Sequence, residues 1–335
     1  MGSDTPPHLL FDAVLQAADK LGSAFSLLVF ATQDVIDQVS RVPPLHPQSN
    51  KAGIQFKEVF EEVSMTDDPS SIRHKKTSSI MIGMDLLKKR ELDAFVSCGN
   101  TGALVAGAVL SLPKLPGITR PALLASLPTE KGLMVVLDVG STILHKERYL
   151  IQFAFLGAAY QRVLNGKDNP SVGLLNVGIE SKKGTIEIGQ AFDFLSSYVE
   201  DRISKRLSPG MNFVGNIEAR DVFKGNIDVL VTDGFTGNVL LKTAEGVSSF
   251  IFEAAEKSLE GCSSGFQSSL CNLKKQFNYA EYPGAIVCGV EGLVIKVHGT
   301  GISRALYSSI MGAADASQKD VIAKLKAQLS EMQRQ

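Results

Sequence analysis

Short continuous apolar runs recur along this chain, each followed by a stretch with helical spacing, and no other feature restricts the fold as strongly. FSLLVFA (25–31) carries no polar alternation, which is the pattern of a strand buried on both faces, and DAFVS, ALLASLP, LMVVLD, SVGLLN, NFVGNI, IDVLVT and LVIKVHG are further strand candidates. Between them lie helical segments. Leu10, Val14, Ala17, Ala18 and Leu21 recur at helical spacing after Pro6 and Pro7, until Gly22 stops them. SSIMIGMDLLKKR, TGALVAGAVL, ERYLIQFAFLGAAYQRVL and the stretches 185–204 and 236–259 read the same way. Strands alternating with helices predict an α/β protein, three-layer α/β/α with a mostly parallel sheet. The stretch 41–53 reads as a surface loop and CSSGFQSS (262–269) as a join between two helices. The polar tail DVIAKLKAQLSEMQRQ reads as a solvated capping helix or an oligomer contact. With no repeat and no linker, residues 1–335 are expected to form a single α/β domain, with a helical protrusion at about 245–280.

Composition narrows the function class. Of 335 residues, 44% are hydrophobic and 21% charged, which excludes a largely disordered chain. Basic residues number 34 and acidic 35, so no global basic field favours nucleic acid. Cys98, Cys262, Cys271 and Cys288 form no CxxC pair, against a zinc ribbon or a disulfide scaffold. The start, MGSDTPPH, has neither a signal-peptide nor a myristoylation pattern. The longest apolar stretch, Ala103 to Leu112, is far short of the ~20 residues that span a bilayer. These features predict a cytoplasmic enzyme in a reducing compartment.

In open α/β sheets, ligands bind where loops leave the carboxyl ends of strands. Here those loops are rich in glycine and asparagine: CGNTGA, NVGIESKKG, VGNIEARD and DGFTGN. Glycine lets backbone approach a ligand, and asparagine offers a donor and an acceptor without charge. GNTG (99–102) and FTGN (235–238) open into helices, whose free amides suit phosphate or an oxyanion. GxGxxG, GxxxxGK[ST] and HExxH are absent, and GCSSG (261–265) follows a helix where a nucleophile elbow needs a strand. The five histidines have no metal-ligand spacing, so no metal and no cofactor is expected. His298 ends an apolar strand, and Lys242 lies one helical turn from Asn238.

VSCGNTGALVAGAV, GITRPALL, LLNVGIESKKG, FVGNIEARDVFKGNIDVLVTDGFTGNVLLKTAEG and EYPGAIVCGVEGLVIKVHGTG resemble the phosphate acyltransferase family of bacterial phospholipid synthesis over almost the whole chain. The resemblance implies reaction of inorganic phosphate with long-chain acyl-acyl carrier protein, giving acyl phosphate and free carrier protein. It also implies a fold similar to the phosphotransacetylase and isocitrate dehydrogenase group, a homodimer, and peripheral membrane association in some members. DVGST (138–142) and Ile179 depart from the family pattern, which puts the roles of Asp138 and Glu180 in question. The family's short apolar strand ahead of the initial motif has no counterpart before Met1, leaving either an upstream start or a sheet built without it.

The chemistry asks for little beyond holding thioester and phosphate together and giving neutral donors to an oxyanion. Asn100, Asn238, Lys242 and His298 are the catalytic candidates, with His298 as proton carrier. Gly99, Thr101, Gly102, Asn176, Lys183, Asn216, Asp233 and Gly237 are the candidate phosphate- and substrate-binding residues. Arg202, Lys205 and Arg206 are candidates for docking an acidic carrier protein. The face Phe250, Ile251, Ala254, Ala255 and Leu259 suits an acyl groove, core or dimer packing, or an interfacial helix, and Glu253, Glu256 and Glu260 weigh against an anionic membrane. Two other readings stand beside this one. An isocitrate-type dehydrogenase would need an acidic metal cluster and several arginines that cannot be assembled here. A catalytically inactive relative would only bind carrier protein or scaffold lipid enzymes.

Overall fold

The computed structural model describes residues 2–3, 5–40, 52–144, 146–208, 210–258, 264–277, 282–297 and 302–333. Two compact units divide the chain, the first from residues 1–114 and 282–322, the second from 115–281 and 323–335.

In the first unit, α1 (Pro7–Leu21), β1 (Ser26–Ala31), α2 (Gln33–Ser40), β2 (Gly53–Glu58), α3 (Ser79–Lys88), β3 (Ala94–Ser97) and α4 (Thr101–Ser111) follow in order. Pro7 in its first turn starts α1, and Gly22 ends it with a φ of 71°. Strand β1 pairs in parallel with β2. The latter, GIQFKE, is half polar and has no place in the sequence reading. Late in the chain come β9 (Ala285–Cys288), β10 (Leu293–Lys296) and α9 (Ile302–Gln318). β10 runs parallel to β3 and antiparallel to β9.

The second unit holds β4 (Ala122–Thr129), β5 (Gly132–Leu137), α5 (Glu147–Asn165), β6 (Ser171–Asn176), α6 (Ile186–Ser204), β7 (Asn212–Glu218), β8 (Val229–Val231), α7 (Gly234–Ser258) and α8 (Ser264–Phe277). β4 and β5 form an antiparallel hairpin in register Leu124↔Leu137 to Thr129↔Gly132. From β5 the order is β5-β8-β6-β7, every pair parallel. Four parallel carboxyl ends therefore share one edge, the placement that the loop analysis requires. Gly157 seats α5, because a Cβ there would collide with Val229 and Leu137.

Three expectations change. The tail forms α10 (Val321–Gln333), whose Val321, Leu325, Leu329 and Met332 are buried, so it is core and not a solvated cap. The last six residues of CSSGFQSS already belong to α8, while 259–263 lie outside the described residues. Phe250 and Ile251 are 71% and 55% exposed, so that face does not pack in this chain's core; Phe252 does, against Phe277.

Candidate functional site

Asp138 follows the last residue of β5 and is fully buried. Its Oδ1 accepts N–H bonds from Leu123, Gly140 and Ser141, each at 3.0 Å. Its Oδ2 accepts from the Ser141 hydroxyl at 2.8 Å and the Thr142 N–H at 2.7 Å. Burial pushes this carboxyl above the usual carboxylate range, while the donors from Ser141, Leu123 and Gly140 pull the other way. DVGST is thus a cup closed around one carboxylate. Arg120 braces its rim, Nε donating to Thr142 Oγ1 at 2.9 Å and Nη2 to the Ser141 carbonyl at 3.3 Å.

Against this cup sits the start of α7. Gly234 donates its N–H to the Thr142 carbonyl at 2.9 Å. A Cβ on Gly237 would fall on the Asp138 carbonyl oxygen, so glycine is the residue that allows the approach. Asp233 caps the helix: Oδ1 accepts from the Phe235 and Thr236 N–H groups at 3.0 Å each, and Oδ2 from the Thr236 hydroxyl at 2.6 Å. The Gly237 N–H bonds the Asp233 carbonyl at 2.9 Å. FTGN therefore lies inside the helix with its first-turn amides occupied. The expectation of free donors at this helix start is corrected by that capping. Asn238 is exposed beside Gly140, and Lys242 points its ammonium at Glu245, 2.7 Å away.

The loop after β6 is locked by its own asparagine. Asn176 accepts the Val177 N–H at 2.8 Å and donates Nδ2–H to the Lys183 carbonyl at 2.9 Å. Gly184, at φ 86°, is pressed on that carboxamide. Asn216 donates from β7 to the Glu180 carbonyl at 2.9 Å, and its buried Oδ1 has no partner among the described residues. The Lys183 side chain is exposed.

In the first unit, GNTG joins β3 to α4. Asn100 Oδ1 caps α4 through the Ala103 N–H at 3.0 Å. Its Nδ2 donates to the Ser64, Met65 and Asp67 carbonyls at 3.2, 3.2 and 2.9 Å. The carboxamide is committed to the fold, whereas the N–H groups of Thr101 and Gly102 have no partner among the described residues. Gly99 donates to Ser97 Oγ at 3.2 Å. Beneath this turn lies Lys296, 2% exposed, donating to the Cys98 carbonyl at 3.3 Å and the Val297 carbonyl at 2.5 Å. Sequence reasoning missed Lys296; its signal was a lysine within the apolar run LVIKV. His298 lies outside the described residues.

Burial raises the Cys98 thiol to about 11, against the opposing pull of Lys296. At pH 8 that thiol stays protonated and unreactive. Iodoacetamide at pH 8, read by peptide mass spectrometry, should modify exposed Cys271 and spare Cys98; labelling of both at equal rates would contradict this environment.

Of the basic trio, Lys205 and Arg206 are exposed and Arg202 is not. Arg202 is buried, donates to the Ser208 carbonyl at 2.7 Å and lies over Tyr198, while Lys205 pairs with Asp201 at 2.9 Å. No group of three or more His, Cys, Asp or Glu side chains able to hold a metal occurs among the described residues.

A family model described as "Fatty acid synthesis protein" matches residues 1–324. A phosphate acyltransferase of Chlamydia felis is 36% identical over 332 residues, 98% of this chain and 97% of the relative. One of Chlamydia trachomatis serovar A is 39% identical over 329 residues, 97% of this chain and 94% of the relative. Among solved structures, a phosphotransacetylase from Streptococcus pyogenes is similar with TM-score 0.59 at 15% identity, over 93% of each chain. EutD phosphotransacetylase from Staphylococcus aureus gives 0.57 at 13% identity, over 92% of each. These two likenesses establish the fold.

Proposed function

The chain belongs to the fatty acid synthesis protein family and is a phosphate acyltransferase, and we propose that it transfers a long-chain acyl group from acyl carrier protein to inorganic phosphate. The observation that carries this reading is full-length similarity to phosphate acyltransferases, with GNTG and DGFTGN intact. A phosphate oxygen attacks the thioester carbonyl carbon, a C–O bond forms, and the C–S bond then breaks. The thiol leaves with a pKa of about 8.5 and needs little acid help. Loops of neutral amides on rigid strand ends suit this reaction, because holding the two reactants in place supplies much of the acceleration. In this reading Asn100, Asn176 and Asn216 are positioning residues. Each spends its amide on a neighbouring backbone carbonyl and fixes a loop. In the first unit the Thr101 and Gly102 N–H groups, above the buried Lys296 ammonium, supply positive character for phosphate or oxyanion, and in the second unit the exposed Lys183 is a separate candidate. Of the three candidate docking residues, Lys205 and Arg206 are the exposed ones that an acidic carrier protein would meet.

The test is release of carrier-protein thiol from palmitoyl-acyl carrier protein with and without phosphate, with hydroxylamine trapping of the product. Phosphate-dependent release and a trapped acyl phosphate are expected. No release from folded protein would overturn the reading in favour of a binding-only relative. In the same assay Lys296→Met should lower kcat/KM for phosphate about 100-fold, the order seen when one preorganised oxyanion donor is removed. Lys296→Arg should recover part of it. Unchanged turnover in Lys296→Met would remove this residue from the site.

No helix among the described residues is long and apolar enough to cross a membrane. The exposed residues Phe250 and Ile251 are the contact we propose for a second copy of the chain. Phe250→Asp should convert a dimer to a monomer in light scattering without loss of helicity.

A further inference from the structure

Six large apolar side chains stand in solvent around the carboxyl ends of the parallel strands in the second unit. Ile143, Leu144, Val177, Ile179, Ile186 and Phe235 are each between 65% and 82% exposed. Single exposed apolar residues are ordinary, but a contiguous group of them marks a surface that takes a ligand or a partner. The topology makes these six contiguous. β8 lies between β5 and β6, with Leu137 and Leu174 both opposite Val231, and neighbouring strands run about 4.8 Å apart. Phe235 belongs to the middle loop. On one side its neighbour Gly234 donates to the Thr142 carbonyl, and Ile143 and Leu144 follow directly. On the other side Val177 and Ile179 leave β6. Gly184, pressed on the Asn176 carboxamide, holds the start of α6 and its first residue, Ile186, at that same strand end.

We infer that this apolar rim receives the acyl chain during transfer, an inference that rests on the reaction proposed above. Rim and candidate site are interleaved residue by residue. Ile143 follows Thr142 of the cup around Asp138, Val177 follows Asn176, and Phe235 lies between Gly234 and Gly237, the two glycines that fit α7 against the cup. A hydrocarbon tail attached to the reacting carbonyl must leave across the side chains that border the site. It has no group to hydrogen-bond, so apolar area is what recognises it. A partner protein seated on these residues would cover the strand ends through which phosphate and thioester enter. An acyl chain arrives with the substrate and departs with the product, so it is the occupant compatible with turnover. The rim is thus a chain-length selector: apolar area rewards each further methylene laid on it, by about fourfold at full burial and about twofold when one side stays wet.

The experiment measures binding of butyl phosphonate and dodecyl phosphonate, both below their micellar concentrations, by calorimetry on the full chain. The parent should bind the dodecyl compound about 100-fold more tightly. Ile143→Ser, Ile179→Ser and Phe235→Ser combined should lower that ratio about tenfold or more and leave butyl phosphonate within about twofold of the parent. All three positions are exposed, so the fold tolerates the change. Ile203→Ser is the control: it is 61% exposed but lies toward the other end of α6, about 25 Å from Ile186, and should keep the parent's ratio. An unchanged ratio in the combined variant, or an equal loss for both compounds, would remove the rim from acyl binding. Loss of a dimer in light scattering with the ratio intact would do the same and assign these residues to a second copy. Discrimination that vanishes in the combined variant supports the rim even if palmitoyl-acyl carrier protein shows no phosphate-dependent release, so the two readings fail separately.

Discussion

Asp138→Asn is expected to lower the free energy of unfolding by about 3–5 kcal/mol, the range for breaking a buried charged network from one side. Both oxygens of Asp138 act only as acceptors, and every partner at them is an N–H or O–H. An asparagine must turn its NH2 toward one of those sets. Wherever it turns, two or more donors lose their acceptor and face another donor, each at a cost of about 1–3 kcal/mol. Urea denaturation followed by circular dichroism measures the loss. Because the carboxylate shapes the Gly140–Thr142 loop and the α7 start leans on it, the surviving folded fraction should also show a raised KM for phosphate. A stability within about 1 kcal/mol of the parent would mean that the cup does not depend on the charge.

Gly237→Ala is the second large effect. Its Cβ would occupy the place of the Asp138 carbonyl oxygen and press on Thr232 Cγ2 at 2.9 Å. The obstacle is backbone of a buried strand end, not the tip of a flexible side chain. α7 must therefore lift away from the cup, breaking the Gly234 bond to Thr142. Overpacking of this kind costs about 1–3 kcal/mol, and more where neither side can yield. Turnover should fall by about 100-fold or more, since displacements of about 1 Å cost that much in a positioned reaction. Gly246→Ala, in the same helix with open space around it, is the control and should be neutral or slightly stabilising. Equal activity in both variants would sink the close-approach argument.

The architecture was legible because apolar period and length carry it. FSLLVFA, SVGLLN and IDVLVT became β1, β6 and β8, and the helices between them began and ended near their proline, serine and glycine signals. β2 escaped because GIQFKE, half polar, carries no continuous apolar run, and the antiparallel β4–β5 hairpin turns at Glu130-Lys131 rather than at a glycine or proline pair. α10 was misjudged because its four buried residues are diluted by lysine and glutamine. The site was legible as a set of loops and not as a set of roles. Gly and Asn mark the strand ends correctly, but a sequence does not tell whether a carboxamide faces substrate or its own backbone. Asn100, with three carbonyls around one Nδ2, turned out to face backbone. Lys296 was invisible for the opposite reason: a single charge in an apolar strand looks like an edge position until its burial is known.

The asparagine locks have a thermodynamic consequence. A glycine-rich loop that stayed loose until substrate arrived would lose backbone entropy at binding, on the order of 1–2 kcal/mol for each residue fixed. Asn176 ties both ends of the Val177–Lys183 segment to itself, so that ordering is completed during folding. Substrate then meets a preformed surface and keeps more of its binding free energy for the reacting centre. Substituting Asn176 should consequently show up in calorimetry as a less favourable binding entropy, with the enthalpy of phosphate binding little changed.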